Sequence, residues 1–382
     1  MRAIPRDFPL GPAAIALLVA VAMCLCILVA RRSMRAAPIR RGQDIRARQA
    51  MHHRPTSRLG GLAVFGGWLT CLPFLDPAVQ AVSVRLALSA FPVIVAGLAE
   101  DLGHDVSPRR RLLAAGISGL VAAFLFGLWL PKVDVPVGDA LFAFAPFAIL
   151  FTVFCTSGVS HAFNLIDGMH GLAAGTAIIG AVGLSAVAVQ SGQPDIAASV
   201  LVIAAATLGF LAINYPFGLV FLGDAGAYSI GHVLAWVSIL ILARDLDATA
   251  WAMVLVLFWP VADTCFAMYR RWKNSQRADQ PDRLHHHQVV LRMLEIRVIG
   301  RDRRHLANPV ATLVLLPFIA MPTLAGVLLW NNPAWAFAAL VVFAALFVVS
   351  YRLVIGLAQR RPAGRASLGK EADRPPAIMP GE

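Results

Sequence analysis

Apolar residues in this chain fall in long, nearly uninterrupted runs rather than in the alternating or one-faced patterns of soluble strands and helices. Eleven segments stand out: 11–30, 59–75, 86–99, 112–130, 140–160, 171–190, 196–213, 225–243, 248–268, 308–330 and 333–351. At about 1.5 Å of rise per residue, most are long enough to cross about 30 Å of hydrocarbon. The pattern predicts an all-α, polytopic integral membrane protein with about eleven transmembrane helices. The third segment is short, and the ninth carries Asp263. An odd number of crossings puts the two termini on opposite sides.

Composition agrees with that reading. The 382 residues are 58% hydrophobic and 14% charged, with mean hydropathy +0.71, whereas a soluble domain carries about 25% charge. The 33 Lys+Arg against 21 Asp+Glu leave a net charge of +12, and the position of the basic residues explains it. The loops after the first, third and ninth segments and the C-terminal region together hold most of them, while Arg2, Arg6, Arg85, Lys132 and Arg244 fall on the other side. By the positive-inside rule the N-terminus is outside and the C-terminus cytoplasmic. Topology therefore accounts for the charge, and no nucleic-acid partner is expected. The first segment faintly imitates a signal peptide, but its length and the Arg31-Arg32 that follows it predict a retained helix. Cys24, Cys26, Cys71, Cys155 and Cys265 lie in or beside apolar runs without a CxxC pair and read as small hydrophobes. Residues 1–356 are expected to form one transmembrane domain with cytoplasmic loops 31–58, 100–111, 161–170, 214–224 and 270–307. The Arg-, Pro- and Gly-rich tail, 357–382, is expected to be disordered.

Polar residues beside the spans collect on one side. Glu100-Asp101 and Ser107-Pro108-Arg109-Arg110-Arg111 follow the third segment; His161, Asn164, Asp167 and His170 follow the fifth; Asn214 and Asp224 follow the seventh. The run His285-His286-His287 lies on the same side. Each acid alone reads as a helix cap or a turn, but together they stand in otherwise apolar loops, and ionisable residues beside a membrane mark function. Clustered carboxylates and amides offer hard oxygen ligands of the kind Mg²⁺ or Mn²⁺ takes when phosphate completes its shell. The turns Asp167-Gly168 and Gly223-Asp224 lead into helix starts, whose free N–H groups can seat an anion. These residues point to metal-assisted phosphoryl transfer at a membrane, without naming the donor.

Four motifs in order resemble the polyprenyl-phosphate N-acetylhexosamine-1-phosphate transferase family, which includes the phospho-MurNAc-pentapeptide transferase and the WecA-type enzymes. They are Pro55-Thr56-Ser57-Arg58-Leu59-Gly60-Gly61; Gly97-Leu98-Ala99-Glu100-Asp101 with Ser107-Pro108 and Arg111; Asn164-Leu165-Ile166-Asp167-Gly168 with Gly171-Leu172-Ala173-Ala174-Gly175; and Asn214, Pro216 and Phe221-Leu222-Gly223-Asp224-Ala225-Gly226. A fifth piece resembles the WecA-type branch: Pro260-Val261-Ala262-Asp263, Arg270-Arg271 and Pro281-Asp282-Arg283-Leu284-His285-His286-His287.

The resemblance implies transfer of HexNAc-1-phosphate from a UDP-HexNAc donor to undecaprenyl phosphate, releasing UMP, at the cytoplasmic face of a bacterial inner membrane. It implies Mg²⁺, with Mn²⁺ as a substitute, on Asp224 and Asn164. Glu100, Asp101, Asp167 and Asp224 are the implied catalytic acids, with Glu100 and Asp101 at the lipid phosphate. Arg58, Asn164, His170, Asn214, Arg283, His285 and His287 are the implied substrate-binding residues. Direct attack and a two-step route through an aspartyl intermediate both suit the sequence, as do monomer and dimer. The chain departs from the family's pattern in having Glu at 100, His at 161 and 170, and Gln at 288. Asp263 is expected to play a structural part, facing the bundle and pairing with an arginine. A transporter or flippase would instead place polar residues near mid-span. A CDP-alcohol phosphatidyltransferase would continue its Asp-Gly with further aspartates at helical spacing. An inactive relative is the reading that His161 and His170 motivate.

Overall fold

The structure, a computed structural model, describes residues 10–33, 56–275, 284–300 and 303–359. These form α1 (Leu10–Ser33), α2 (Gly60–Cys71, continued by a 3₁₀ turn), α3 (Pro77–Asp101), α4 (Pro108–Phe126), α5 (Pro136–Phe142), α6 (Ala145–Ile166) and α7 (Leu172–Gln190). They continue with α8 (Pro194–Asn214), α9 (Gly223–Arg244), α10 (Ala250–Val256), α11 (Phe258–Lys273), α12 (His286–Arg297), α13 (Arg304–Leu328) and α14 (Pro333–Gln359). Among the described residues there is no strand, only an isolated bridge between Ser57 and Val220. The all-α polytopic fold stands.

Each apolar segment is helical, but the segments are not equivalent. Among the described residues eight helices are long and apolar enough to cross a membrane, or nine if α10 and α11 count as one broken span. The short third segment grows into the 25-residue α3, because Gln80, Ser83 and Arg85 dilute its apolar pattern without ending the helix. Proline in the first turn of α3, α4 and α8 costs nothing there, since those N–H groups have no helical partner anyway. The ninth segment is the main departure: it breaks at Leu257, and α11 turns 89° away from α10. The segment read as the loop 270–307 is largely helical, holding the end of α11, α12 and the start of α13. At the C-terminus α14 runs on past the expected boundary at 356 to Gln359, and the rest of the tail lies outside the described residues.

The bundle shows large apolar side chains on its outer surface, among them Leu18, Phe91, Phe124, Leu150, Phe154 and Leu324. In water such a surface would aggregate; in lipid it is the matching solvent. At the centre stands α9, buried along its length, as expected of a helix that is apolar on every face. It packs against α2, α3, α6 and α7. Small residues set how closely: a Cβ on Gly61 would meet the backbone of Gly226, and one on Gly231 would lie 2.8 Å from the Ser160 Cα. One polar pair lies deep in the bundle, His232 Nε2 against Ser89 Oγ at 3.0 Å; its two residues stand well inside apolar segments. All five cysteines are free.

Candidate active site

The start of α9 is where the predicted acids meet. A helix that begins inside a protein must have its first N–H groups satisfied by something other than its own carbonyls. Here the partners are carboxylates from two other helix ends. Gly223 N–H donates to Asp167 Oδ2 at 3.1 Å, Asp224 N–H to Asp101 Oδ1 at 2.9 Å, and Ala225 N–H to Asp101 Oδ2 at 2.9 Å. Asp101 closes α3 and Asp167 follows α6, so three connections converge on one helix start. The expected seat for a substrate anion at this helix start is thus taken by the protein's own carboxylates. The start of α7 is satisfied in the same way, with Gly171 N–H donating to Asn214 Oδ1 at 2.6 Å.

Asp224 itself is buried and faces two polar side chains. Arg111 donates to its Oδ2 at 2.5 Å and Asn164 Nδ2 to its Oδ1 at 3.0 Å. Arg111 stands in the first turn of α4, whose entry is set by the Ser107 hydroxyl accepting from the Arg110 N–H. Asn164 and His161 are on α6 rather than in the loop read after it. The segment Ser57–Gly61 runs beside Phe221–Leu222, with Phe221 N–H on the Ser57 carbonyl and Gly60 and Gly61 N–H on the carbonyls of 221 and 222. That pairing brings Arg58 beside the acids. Burial pushes the Asp167 carboxyl well above the usual carboxylate range; the charge of Arg58 works against this, and Asp101 and Asp224 add to it.

The other predicted residues are placed differently. Glu100 accepts from Val106 N–H at 2.8 Å and closes the turn between α3 and α4. Asn214 bridges two turns, since its Nδ2 also donates to the Val220 carbonyl at 2.6 Å. His170 holds the Pro216 carbonyl through Nδ1 at 2.9 Å, and its backbone is clamped by Asn308 and Thr312. Burial lowers the proton affinity of its ring. Neither Asn214 nor His170 makes a hydrogen bond to the carboxylate cluster in the described contacts. Arg283 lies outside the described residues. His285 and His287 are buried, and both bind Asp263. The partners of Asp263 are therefore histidines rather than the expected arginine; the bend at Leu257 carries Asp263 to the start of α12.

Two residues of the cluster escaped the list of candidates. Arg111 belongs to the second motif of the resemblance but was given no role at the site; its contact with Asp224 supplies one. Tyr228 sits one helical turn beyond Asp224 and packs its ring edge against His161, centroids 4.8 Å apart; within an apolar run it carries no signal of its own.

The donor set suits a magnesium ion shared with substrate. Asp224 and Asn164 side chains are in contact and supply oxygen atoms, while among the described residues no three His, Cys, Asp or Glu side chains could close a metal shell by themselves. Mg²⁺ commonly takes one or two protein oxygens and completes its shell with phosphate and water.

Residues 83–242, which contain all of this cluster except Arg58, match the family described as glycosyl transferase family 4. A Bacillus subtilis (strain 168) protein named "Probable undecaprenyl-phosphate N-acetylglucosaminyl 1-phosphate transferase" is 30% identical over 249 residues, covering 65% of this chain and 69% of that protein. The chain belongs to glycosyl transferase family 4. Two other relatives are named undecaprenyl-phosphate alpha-N-acetylglucosaminyl 1-phosphate transferase. The Yersinia pestis protein is 30% identical and the Escherichia coli (strain K12) protein 26% identical, each over 244 residues, 61% of this chain and 65% of the relative. This family 4 chain therefore spans about two thirds of the curated relatives it matches.

Proposed function

We propose that the chain transfers HexNAc-1-phosphate from a UDP-HexNAc donor to undecaprenyl phosphate, as the first step in building a cell-surface glycan on a lipid. The observation that carries the reading is the meeting of Asp101, Asp167 and Asp224 with Arg58 and Arg111 at one end of a membrane bundle. In the reaction an oxygen of the lipid phosphate attacks the phosphorus that bears the sugar. The bond from that phosphorus to the oxygen of the uridine-linked phosphate breaks, UMP leaves, and a pyrophosphate-linked lipid remains. Both substrates are anions, so positive charge must offset their repulsion. Arg111 and Arg58 supply it from the protein side. A magnesium ion, held by Asp224 and Asn164, would supply the rest as a Lewis acid. Asp101 spends one lone pair of each oxygen on α9 and keeps the others for the lipid phosphate or its proton. Glu100, beside it, closes the turn that leads to Arg111. The same reading places the site on the cytoplasmic face of a bacterial inner membrane, where UDP-sugars are made.

The test is transfer of label from UDP-GlcNAc, and then from other UDP-HexNAc donors, into undecaprenyl phosphate by the purified protein, with Mg²⁺ and with EDTA. Metal-dependent pyrophosphoryl-lipid and equimolar UMP are expected; no product from any donor with folded protein would remove the reading. Arg111→Gln is expected to lower turnover about 10²-fold, the size of losing one preorganised charge contact. It leaves Asp224 buried without its cation, so donor-dependent rates and the thermal midpoint in detergent should both fall. A rate within twofold of wild type would make Arg111 a topology residue only.

A further inference from the structure

Away from the carboxylate cluster lies a second buried acid with an unusual set of partners. Asp263 is on α11, with its side chain almost fully enclosed. Its Oδ1 accepts the His286 backbone N–H at 2.9 Å, which satisfies the start of α12. Its Oδ2 faces Nδ1 of His285 at 3.2 Å and Nδ1 of His287 at 3.1 Å. A carboxylate can only accept, so both rings donate an Nδ1–H to the same oxygen. The rings lie nearly parallel, 23° apart with centroids at 5.6 Å. Two parallel rings fixed through Nδ1 on one oxygen turn their Nε2 edges the same way, away from Asp263.

That geometry leaves something unfinished. His287 Nε2 and Gln288 Oε1 are buried with no hydrogen-bond partner, a state that is unfavourable for a buried polar group. A clamp built only to hold α12 against α11 needs the Asp263 bond to the His286 N–H. It does not need two imidazoles oriented in parallel, with the Nε2 of His287 left buried and unpartnered.

We infer that Asp263 is a positioning residue that fixes the tautomer and direction of His285 and His287 so that their Nε2 atoms meet oxygens of the sugar-nucleotide donor. The inference rests on the transferase reading above, and it goes further by assigning a task to a residue that never touches substrate. Carboxylates set imidazole tautomers in this way beside metals and in hydrolase triads. The replacement that tests it is Asp263→Asn. One face of the asparagine amide accepts and the other donates, so it cannot accept from the His286 N–H and from both rings at once. At least one ring must turn or change tautomer, and its Nε2 then leaves the donor.

With full-length protein in detergent, Asp263→Asn should raise the KM for UDP-GlcNAc at least tenfold. The KM for undecaprenyl phosphate should stay within twofold and kcat within threefold. In a His285→Gln, His287→Gln background the same replacement should add less than twofold, because the rings it orients are gone. Donor KM unchanged in the single variant would overturn the inference, as would a full multiplicative loss in the triple variant. A parallel collapse of kcat, both KM values and thermal midpoint would do the same and leave Asp263 a fold residue. If Asp263→Asn does not accumulate, the wild-type protein labelled with ¹⁵N-histidine decides. UDP-GlcNAc should shift the Nε2 resonances of His285 and His287, assigned from the single glutamine variants, and unmoved resonances would refute the assignment. A wild-type protein that binds UDP-GlcNAc with those shifts but makes no lipid product would remove the transferase reading and leave the orientation by Asp263 standing.

Discussion

Asp224→Asn is expected to lower turnover by about 10³-fold, the combined size of losing a charged contact and a metal ligand in a water-poor site. The replacement is nearly isosteric and changes only charge and hydrogen-bond sense. The new amide can keep accepting from Asn164 Nδ2, which now reaches Asp224 at 3.0 Å. Its other face presents N–H groups to the Arg111 guanidinium, where the native side chain accepts. The backbone around it is held by Asp101 and Asp167 and not by Asp224, so the helix start should survive. Initial rates with labelled UDP-GlcNAc, read beside the thermal midpoint followed by tryptophan fluorescence, should show turnover lost and folding largely kept. Asp101→Asn should differ in kind. An amide cannot accept from both Asp224 N–H and Ala225 N–H, so stability and turnover should fall together. If both variants turn over at near-normal rates, the site is elsewhere.

Much of this arrangement was legible in the sequence because membranes simplify the problem. Uninterrupted apolar runs can only be helices in lipid, and acids are rare enough in this chain that Asp101, Asp167 and Asp224, each unremarkable alone, stand out as a set in otherwise apolar loops. What was hidden is pairing across long separations. Asp224 meets Arg111 across 113 residues; the motif resemblance singles out Arg111 from the two arginines before it, but only the fold names Asp224 as its partner. The bend at Leu257 was hidden for a different reason: the run 248–268 stays apolar through it, and the cue comes only afterwards, in Pro260 and the basic, aromatic end of α11. Once α11 leaves the direction of α10, Asp263 faces α12, and histidines take the place an arginine was expected to fill. His170 and Asn214 show what motif reading leaves out, since these side chains also hold turns together. The anion expected at the start of α9 turned out to be internal, because a buried helix start cannot wait for a ligand to satisfy its N–H groups.

The last consequence concerns a residue with no side chain. Gly223 has φ +76°, in the left-handed region that costs other residues about 1–3 kcal/mol. A Cβ there would collide with the Arg58 carbonyl and lie 2.6 Å from Asp101 Oδ2 and 2.9 Å from its Cγ. Backbone and carboxylate cannot both yield without breaking something: if Asp101 moves, it releases two N–H groups of α9, and if Arg58 moves, the pairing of Ser57–Gly61 with Phe221–Leu222 opens. Gly223→Ala should therefore abolish detectable transfer and lower the thermal midpoint by several degrees, although no charge, ligand or hydrogen-bonding atom has been removed. Gly168→Ala is the control. It lies in the other Asp/Gly turn of the site, yet a Cβ at Gly168 meets nothing within 4 Å, and its activity should stay within about twofold of wild type, as for a substitution that meets no packed neighbour. Equal losses in the two variants would mean that turn flexibility matters there and the close approach of Arg58, Asp101 and Gly223 does not. A selective loss at Gly223 would show that the three carboxylates depend on a backbone contact only glycine permits.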